Sequence, residues 1–459
     1  MRVLALAILL CACADDGGEV ASNAGGASGG GSGGGGSGGT SGAGGSDSGG
    51  AGGGAGGGAG DAGSSCSAVS KAGGHTAAAL GATLAKGSLR TPHALWDPVS
   101  ERYVVLFGSV GPSGFRTRVL TTRWEAGAFS TGPELELADP AAPTIDSLER
   151  ALVRSDSASP RLLALLEDTR QTGDPTREVM GQFLKVSSSG SVAQEGSSFA
   201  ITKRPGQHEY TPSAAWDAGA KKFFVSWSDD REEKTVKDGR LVYGRTVSES
   251  GELGPEVRLG GTSLWQTGTA VADSGGGGRF LVAWGDYDLT PGIDAGYRAR
   301  LVDAQGQPVG PVIDLARFGD HIFDPVSIAW QPCKQAWLVA WMKQEKIYGS
   351  WVALDGKVIQ ENLTLGEHAE GAGAARLLWV PRSKSFALTF HAWKSENAFL
   401  QELDDAGTRA GPTKDVNPKM PTLGTFWHPV AARPDRAELV VFPSVNYAEQ
   451  TASVFSGPS

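Results

Sequence analysis

The chain has 459 residues, with 41 Lys and Arg against 50 Asp and Glu, a formal net charge of −9. That acidic balance, with no cluster of Lys and Arg to offset it, excludes the basic footprint of a nucleic-acid-binding protein. Much of the high glycine count of 67 falls before residue 66, so the remainder is closer to an ordinary globular composition than the whole chain.

The first predicted element is a signal peptide over residues 1–12. It carries one Arg and then the apolar run from Val3 to Leu10, too short to span a bilayer as a lasting anchor. Leu10-Cys11-Ala12-Cys13 resembles the lipobox of bacterial lipoproteins, with a branched apolar residue three positions before Cys13 and a small residue directly before it. Cys11 fits less well, because Leu10 would fill the small-residue slot. The resemblance implies lipidation of Cys13, and with it an extracytoplasmic place in a bacterial cell envelope, on the outer membrane or cell surface. The membrane is then a partner through the lipid anchor, each buried methylene contributing about 0.8 kcal/mol. The competing reading is an ordinary signal peptide cut nearby, with both cysteines lost.

Residues 13–65 almost lack large apolar side chains and have nothing to repay the entropy of ordering, so they are expected to form a disordered Gly/Ser-rich tether. A coil of roughly 50 such residues has an r.m.s. reach of about 40 Å.

From residue 66 to 459 one phrase recurs seven times: YVVLF (103–107), LLALL (162–166), FFVSW (223–227), FLVAW (280–284), WLVAW (337–341), FALTF (386–390) and ELVVF (438–442). The spacing lies in the range of propellers and solenoids. The third copy shows the unit most plainly, as PSAAWD (212–217), KFFVSWSD (222–229), GRLVYGRTVSESG (239–251) and ELGPEVRLG (252–260). Alternating apolar and polar residues, β-branched and aromatic enrichment, and Gly/Asp/Ser turns make these four strands. The predicted fold class is all-β, a seven-bladed β-propeller of four-stranded blades, because stacking sheets around an axis buries both faces of runs such as FLVAW. The last copy has room for a third strand near residues 450–455 but no fourth. Residues 76–87 have no partner in their own copy and are expected to supply it, closing the ring with an N-terminal strand.

The resemblance to β-propeller proteins rests on this strand order and on the aW(D) and FLVAW elements. It is a match of fold. The Gly-His and Trp-Asp signatures of the WD40 class are absent, as are repeated Ser-x-Asp-x-Gly-x-Thr-Trp boxes, which Asp273-Ser-Gly-Gly echoes only faintly.

In a propeller the segments entering the first strand of each blade share a face with the loops between the second and third strands. Onto that face the sequence places His208, Glu209 and Tyr210 in the third copy, Trp265 in the fourth, His321 and Asp324 in the fifth, His368 and Glu370 in the sixth, and Trp427 and His428 in the seventh. His93 stands at the first inner strand, whereas His75 and His391 fall outside the group. Imidazoles, carboxylates and indoles converging from several blades suit a sugar or peptide, and they can equally satisfy one another in a wet channel. The mixed run at 228–239 reads as a solvated loop. No nucleophile elbow, phosphate loop or dinucleotide motif is present, and no two histidines have metal-ligand spacing, so no catalytic residue, cofactor or metal is expected.

The expected function is therefore that of a surface-tethered, non-enzymatic propeller binding a protein or glycan ligand at the loop face. The alternative is an extracytoplasmic carbohydrate-active hydrolase or lyase, with a carboxylate pair drawn from Glu209, Asp324, Glu370, Asp229 or Asp286. Cys66 and Cys333 are a possible disulfide, both on the face opposite the ligand loops. A free buried thiol is the other reading of Cys333.

Overall fold

The computed structural model describes residues 72–86, 90–111, 114–137, 150–168, 178–202, 209–231, 239–261, 265–287, 295–318, 325–392, 397–416, 428–436, 438–443 and 449–457. Strands are the only regular elements among them. They form seven sheets, six from consecutive segments: blade one (90–136), two (150–200), three (209–258), four (265–318), five (327–367) and six (372–415). Blade seven joins Val430–Arg433, Glu438–Val441 and Glu449–Ser456 to the N-terminal strand Thr76–Lys86. The outer edge of blade one is split into two short strands, Ala128–Thr131 and Leu135–Glu136, both paired with Gly114–Glu125.

The innermost strands are Arg90–Asp97, Arg150–Arg154, Glu209–Asp217, Trp265–Asp273, Ser327–Gln331, Ala372–Val380 and Val430–Arg433. Each touches the next, and the last touches the first, so the seven-bladed β-propeller is a closed ring. The recurring phrase is the second strand of each blade. Its period of two divides the packing: Phe223, Val225 and Trp227 bury against Leu163, Leu165 and Phe183 of blade two, while Phe224 buries against Phe280, Val282 and Trp284 of blade four. A strand apolar on both faces is what a wedge between two sheets requires.

A second repeated device joins the blades. The turns between third and fourth strands, at 187–191, 248–252, 303–307, 353–357 and 404–408, each place a glycine at φ between 83° and 87° and lay it on the preceding blade. At Gly306 a Cβ would sit 2.9 Å from Thr246 Cγ2, so the left-handed turn and the close approach both require glycine. Within these turns Asp303 and Asp404 accept two backbone N–H bonds each through Oδ1, and Ser187 and Ser248 accept one each. The latch is completed across blades by Thr121 Oγ1 donating to Gly190 O (2.5 Å) and Trp351 Nε1 donating to Ala406 O (3.0 Å).

Ring closure is antiparallel, from Thr76↔Ser456 to Lys86↔Glu449. Before this strand the chain turns back beneath blade six. There buried Glu402 accepts Gly73 N (2.8 Å), His75 N (3.2 Å) and His75 Nδ1 (2.7 Å), and it also pairs with Lys414 Nζ. Burial raises the Glu402 carboxyl, but the bonds from His75 and Lys414 outweigh it and hold the group below the usual carboxylate range. Cys333, in the turn between the first two strands of blade five, is disulfide-bonded. The other three cysteines lie outside the described residues, as do the leader and the tether.

Glu402→Ala strips the closing segment of its acceptor and leaves His75 buried beside an empty site. We expect a loss of about 3–5 kcal/mol in chemical denaturation. Amide exchange should accelerate in residues 76–86 more than in blade three, and equal acceleration in both would count against a closing role.

Candidate functional site

At the end of the ring where the inner strands begin, the channel holds a cavity of about 170 Å³ walled by residues of six blades. One tier of its wall has a simple origin. Opposite the fourth residue of the recurring phrase stand His93 (↔Leu106), Ser213 (↔Ser226), Ala270 (↔Ala283), Ser327 (↔Ala340) and Arg376 (↔Thr389), one from each of five blades. All five line the cavity, and Arg150 of blade two joins them.

Just before this tier the inner strands of blades one, three, four and six slip register, between Arg90/His93, Tyr210/Ser213, Thr267/Ala270 and Gly373/Arg376. At each slip one residue has left-handed backbone: Thr91 (φ 38°), Thr211 (φ 51°), Gly268 (φ 67°) and Ala374 (φ 49°). Bulges re-aim side chains, and a β-branched residue in this region costs on the order of 1–3 kcal/mol. The extra residue also explains why Glu209 and Tyr210, expected in the loop entering the strand, are part of strand Glu209–Asp217, and why Trp265 opens strand Trp265–Asp273. The freed amide of Thr211 is taken by Glu167 Oε1 (3.0 Å), and Thr269 Oγ1 donates to Thr211 O (2.6 Å).

Two imidazoles, His93 and His428, feel the charge of Arg376, and a third, His391, lies beside His428. Desolvation, then Arg376 and Arg150, hold His93 down to about 3. Desolvation, His391 and Arg376 do the same to His428, also at about 3, and desolvation lowers His391 to about 4. All three are neutral at physiological pH. The rings of His391 and His428 lie 6.2 Å apart, edge to face. His391 therefore belongs to this face, contrary to its sequence-based placement.

A different cluster lies between blades two and three. Glu209 is fully buried, and neither carboxyl oxygen has a hydrogen-bond partner among the described residues. Its cross-strand neighbour Asp229, also fully buried, accepts Arg231 N (2.8 Å) and Trp227 Nε1 (3.4 Å) and pairs with the Arg231 guanidinium, which stacks 3.8 Å from the Tyr243 ring. The start of the run expected to be solvated is thus built into the sheet. Burial first, then the charges of Asp229 and Glu178, push Glu209 up to about 9.

The remaining candidates are dispersed. His368 stacks on Phe399 at 4.3 Å, and its Nδ1 accepts Glu370 N (3.3 Å), so this pair forms a self-contained turn outside the cavity wall. His208, His321, Asp324 and Trp427 lie outside the described residues, as do the side chains of Tyr210 and Trp265. Sequence reasoning missed Arg150 and Arg376; the available signal was an Arg at the channel end of an otherwise small or apolar inner strand. Among the described residues, no group of three His, Cys, Asp or Glu is placed to hold a metal ion.

No protein-family model matches the chain, and no curated protein matches it. Solved structures similar to it include an α-L-arabinanase of Penicillium chrysogenum complexed with arabinobiose (9% identity, 83% of this chain and 98% of that one, TM-score 0.48). Another is the β-propeller domain of the trilobed protease of Pyrococcus furiosus (12%, 82% and 95%, TM-score 0.43). A third is an oligogalacturonate lyase in complex with manganese (13%, 82% and 99%, TM-score 0.44). At such identities and TM-scores no activity passes from these proteins to this chain. The propeller assignment rests on the strand pairing itself.

Glu209 binds a proton on folding between its ordinary value of 4.5 and about 9. Its contribution is therefore most favourable below pH 4.5 and is lost as pH rises through that window. In Glu209→Gln the melting temperature should gain on the wild type at pH 9 relative to pH 4. Parallel pH profiles for the two proteins would refute the raised carboxyl.

Proposed function

We propose that this chain is an extracytoplasmic binding propeller that seats a group of a protein or glycan ligand in the mouth of its central channel. The observation that carries the reading is the cavity walled by side chains from six blades. Residues on separate rigid sheets hold a fixed geometry without ordering on contact, which lowers the entropic cost of binding. At about 170 Å³ the cavity is smaller than the roughly 300–1,000 Å³ that enclose a drug-sized ligand, so it takes one residue of a larger ligand and leaves the rest to the loops. Screening the mature protein against glycan and peptide arrays should return a ligand, and Ser327→Trp, which fills the cavity, should abolish its binding while the circular dichroism stays unchanged. Retention of the ligand by that variant, or its turnover by the wild type, would overturn the reading.

A second reading, a carbohydrate-active hydrolase or lyase, draws on the protonated Glu209 opposite Asp229, since glycosidases pair a neutral with an ionised carboxyl. Both groups are fully buried, however, and Asp229 is engaged by Arg231. A general acid must reach its substrate, so burial favours the binding reading.

The propeller is further proposed to hang from a bacterial envelope membrane by lipid on Cys13, with Cys66 as the disulfide partner of Cys333. Metabolic labelling with a fatty-acid analogue should be lost in Cys13→Ser, with release of the protein, and unchanged labelling would remove Cys13 as the site. Non-reducing peptide mapping of the same mature protein should recover Cys66 joined to Cys333 rather than as a free thiol.

A further inference from the structure

We propose that the channel cavity is an anion site, taking the carboxylate of a monosaccharide-sized ligand between the guanidinium groups of Arg150 and Arg376, with the hydroxyls of Ser213 and Ser327 as additional donors. This rests on the binding reading above and assigns the charge of the group bound.

The first support is charge. Two guanidiniums line the cavity, and no Asp or Glu stands among the described residues that wall it. His93, which shares the wall, is held neutral first by burial and then by the charges of Arg376 and Arg150, and those same charges favour an anion in the cavity. Arginine's planar fork matches a carboxylate.

The second support is hydrogen-bond accounting. Ser213 Oγ accepts Val271 N (3.1 Å) and Ser327 Oγ accepts Leu377 N (2.9 Å). A hydroxyl that accepts in this way keeps its own proton to donate, and both serines face the cavity. The wall therefore offers donors from blades two, three, five and six.

The third support is preorganisation. Arg150 is only 3% exposed and donates Nε to Thr117 Oγ1 (3.2 Å) and Nη1 to Thr91 Oγ1 (2.5 Å). Its Nη2 lies 2.7 Å from where a Cβ on residue 108 would stand, so Gly108 is the seat of the guanidinium. Thr91 is itself held in the left-handed bulge. Strain kept at a cavity wall positions a cation that would otherwise spread into solvent.

The test uses one sugar ring in three charge states, D-glucuronate, D-glucose and D-glucosamine, titrated into the mature protein by calorimetry and ligand-observed NMR. Glucuronate should bind about tenfold more tightly than glucose, with glucosamine weakest. Arg376→Gln should erase the preference, whereas Arg376→Lys, which keeps the charge, should retain most of it and controls for folding. Ser327→Ala should weaken glucuronate several-fold. Glucose or glucosamine binding as well as glucuronate, with sensitivity to Ser327→Trp, would overturn the anion assignment while leaving the binding reading intact. Glucuronate binding that persists in both Arg376→Gln and Ser327→Trp would place the anion elsewhere and overturn the proposal, as would no binding of glucuronate at 10-fold the concentration that saturates any neutral probe.

Discussion

The fold depends on one set of hydrogen bonds, between Thr76–Lys86 and Glu449–Ser456. Six sheets stacked about an axis still leave two open faces and exposed strand edges, a template for wrong pairing. The N-terminal strand completes the seventh sheet, so the first and last inner strands can meet and the channel can close. Everything at the channel mouth is positioned by that closure, because His93 belongs to blade one and His428 precedes the first strand of blade seven.

Within the closed ring, strain is concentrated. Most inner-strand residues pair directly with the second strand, but the bulged positions Thr91, Thr211 and Ala374 adopt backbone that their side chains disfavour. They occupy corresponding places in three blades beside the cavity. Local sequence preference and global structure tend to disagree where a protein is shaped for something other than stability. The acid cluster between blades two and three fits the same view: Glu167 satisfies the amide freed at Thr211, while Glu209 is left as a neutral acid without a hydrogen-bond partner among the described residues.

How much of this could be read from the sequence follows from periodicity. The apolar phrase has period two and recurs at blade length, so the second strands, the blade count and the orphan strand at 76–86 were legible. The site was legible only in outline. A bulge changes the count of residues between a strand's entry and its pairing partner, and nothing in Thr211-Pro212 or Ala374-Ala375 announces one. Placement by counting therefore put Glu209 in a loop and passed over Arg376, which follows three small residues. His391, which the sequence places outside the group, stands near the end of a second strand, and that end shares the channel-mouth face with His428. Asp229 looked solvated in a charged run, yet Arg231 and Trp227 make its burial tolerable.

The closing strand also fixes an order of events. Thr76 and Ser456 are 380 residues apart, so during synthesis one strand of the seventh blade waits while all the other blades are made. Loop-closure entropy grows only slowly with such a separation, and the finished protein loses little stability by it. The delay falls on assembly instead, since long-range strand pairing is slow and unpaired edges invite association while it is pending. A nascent chain that has not yet reached residue 449 holds six complete blades and no ring. Its survival to that point depends on how well each glycine turn has already locked one sheet onto the sheet before it.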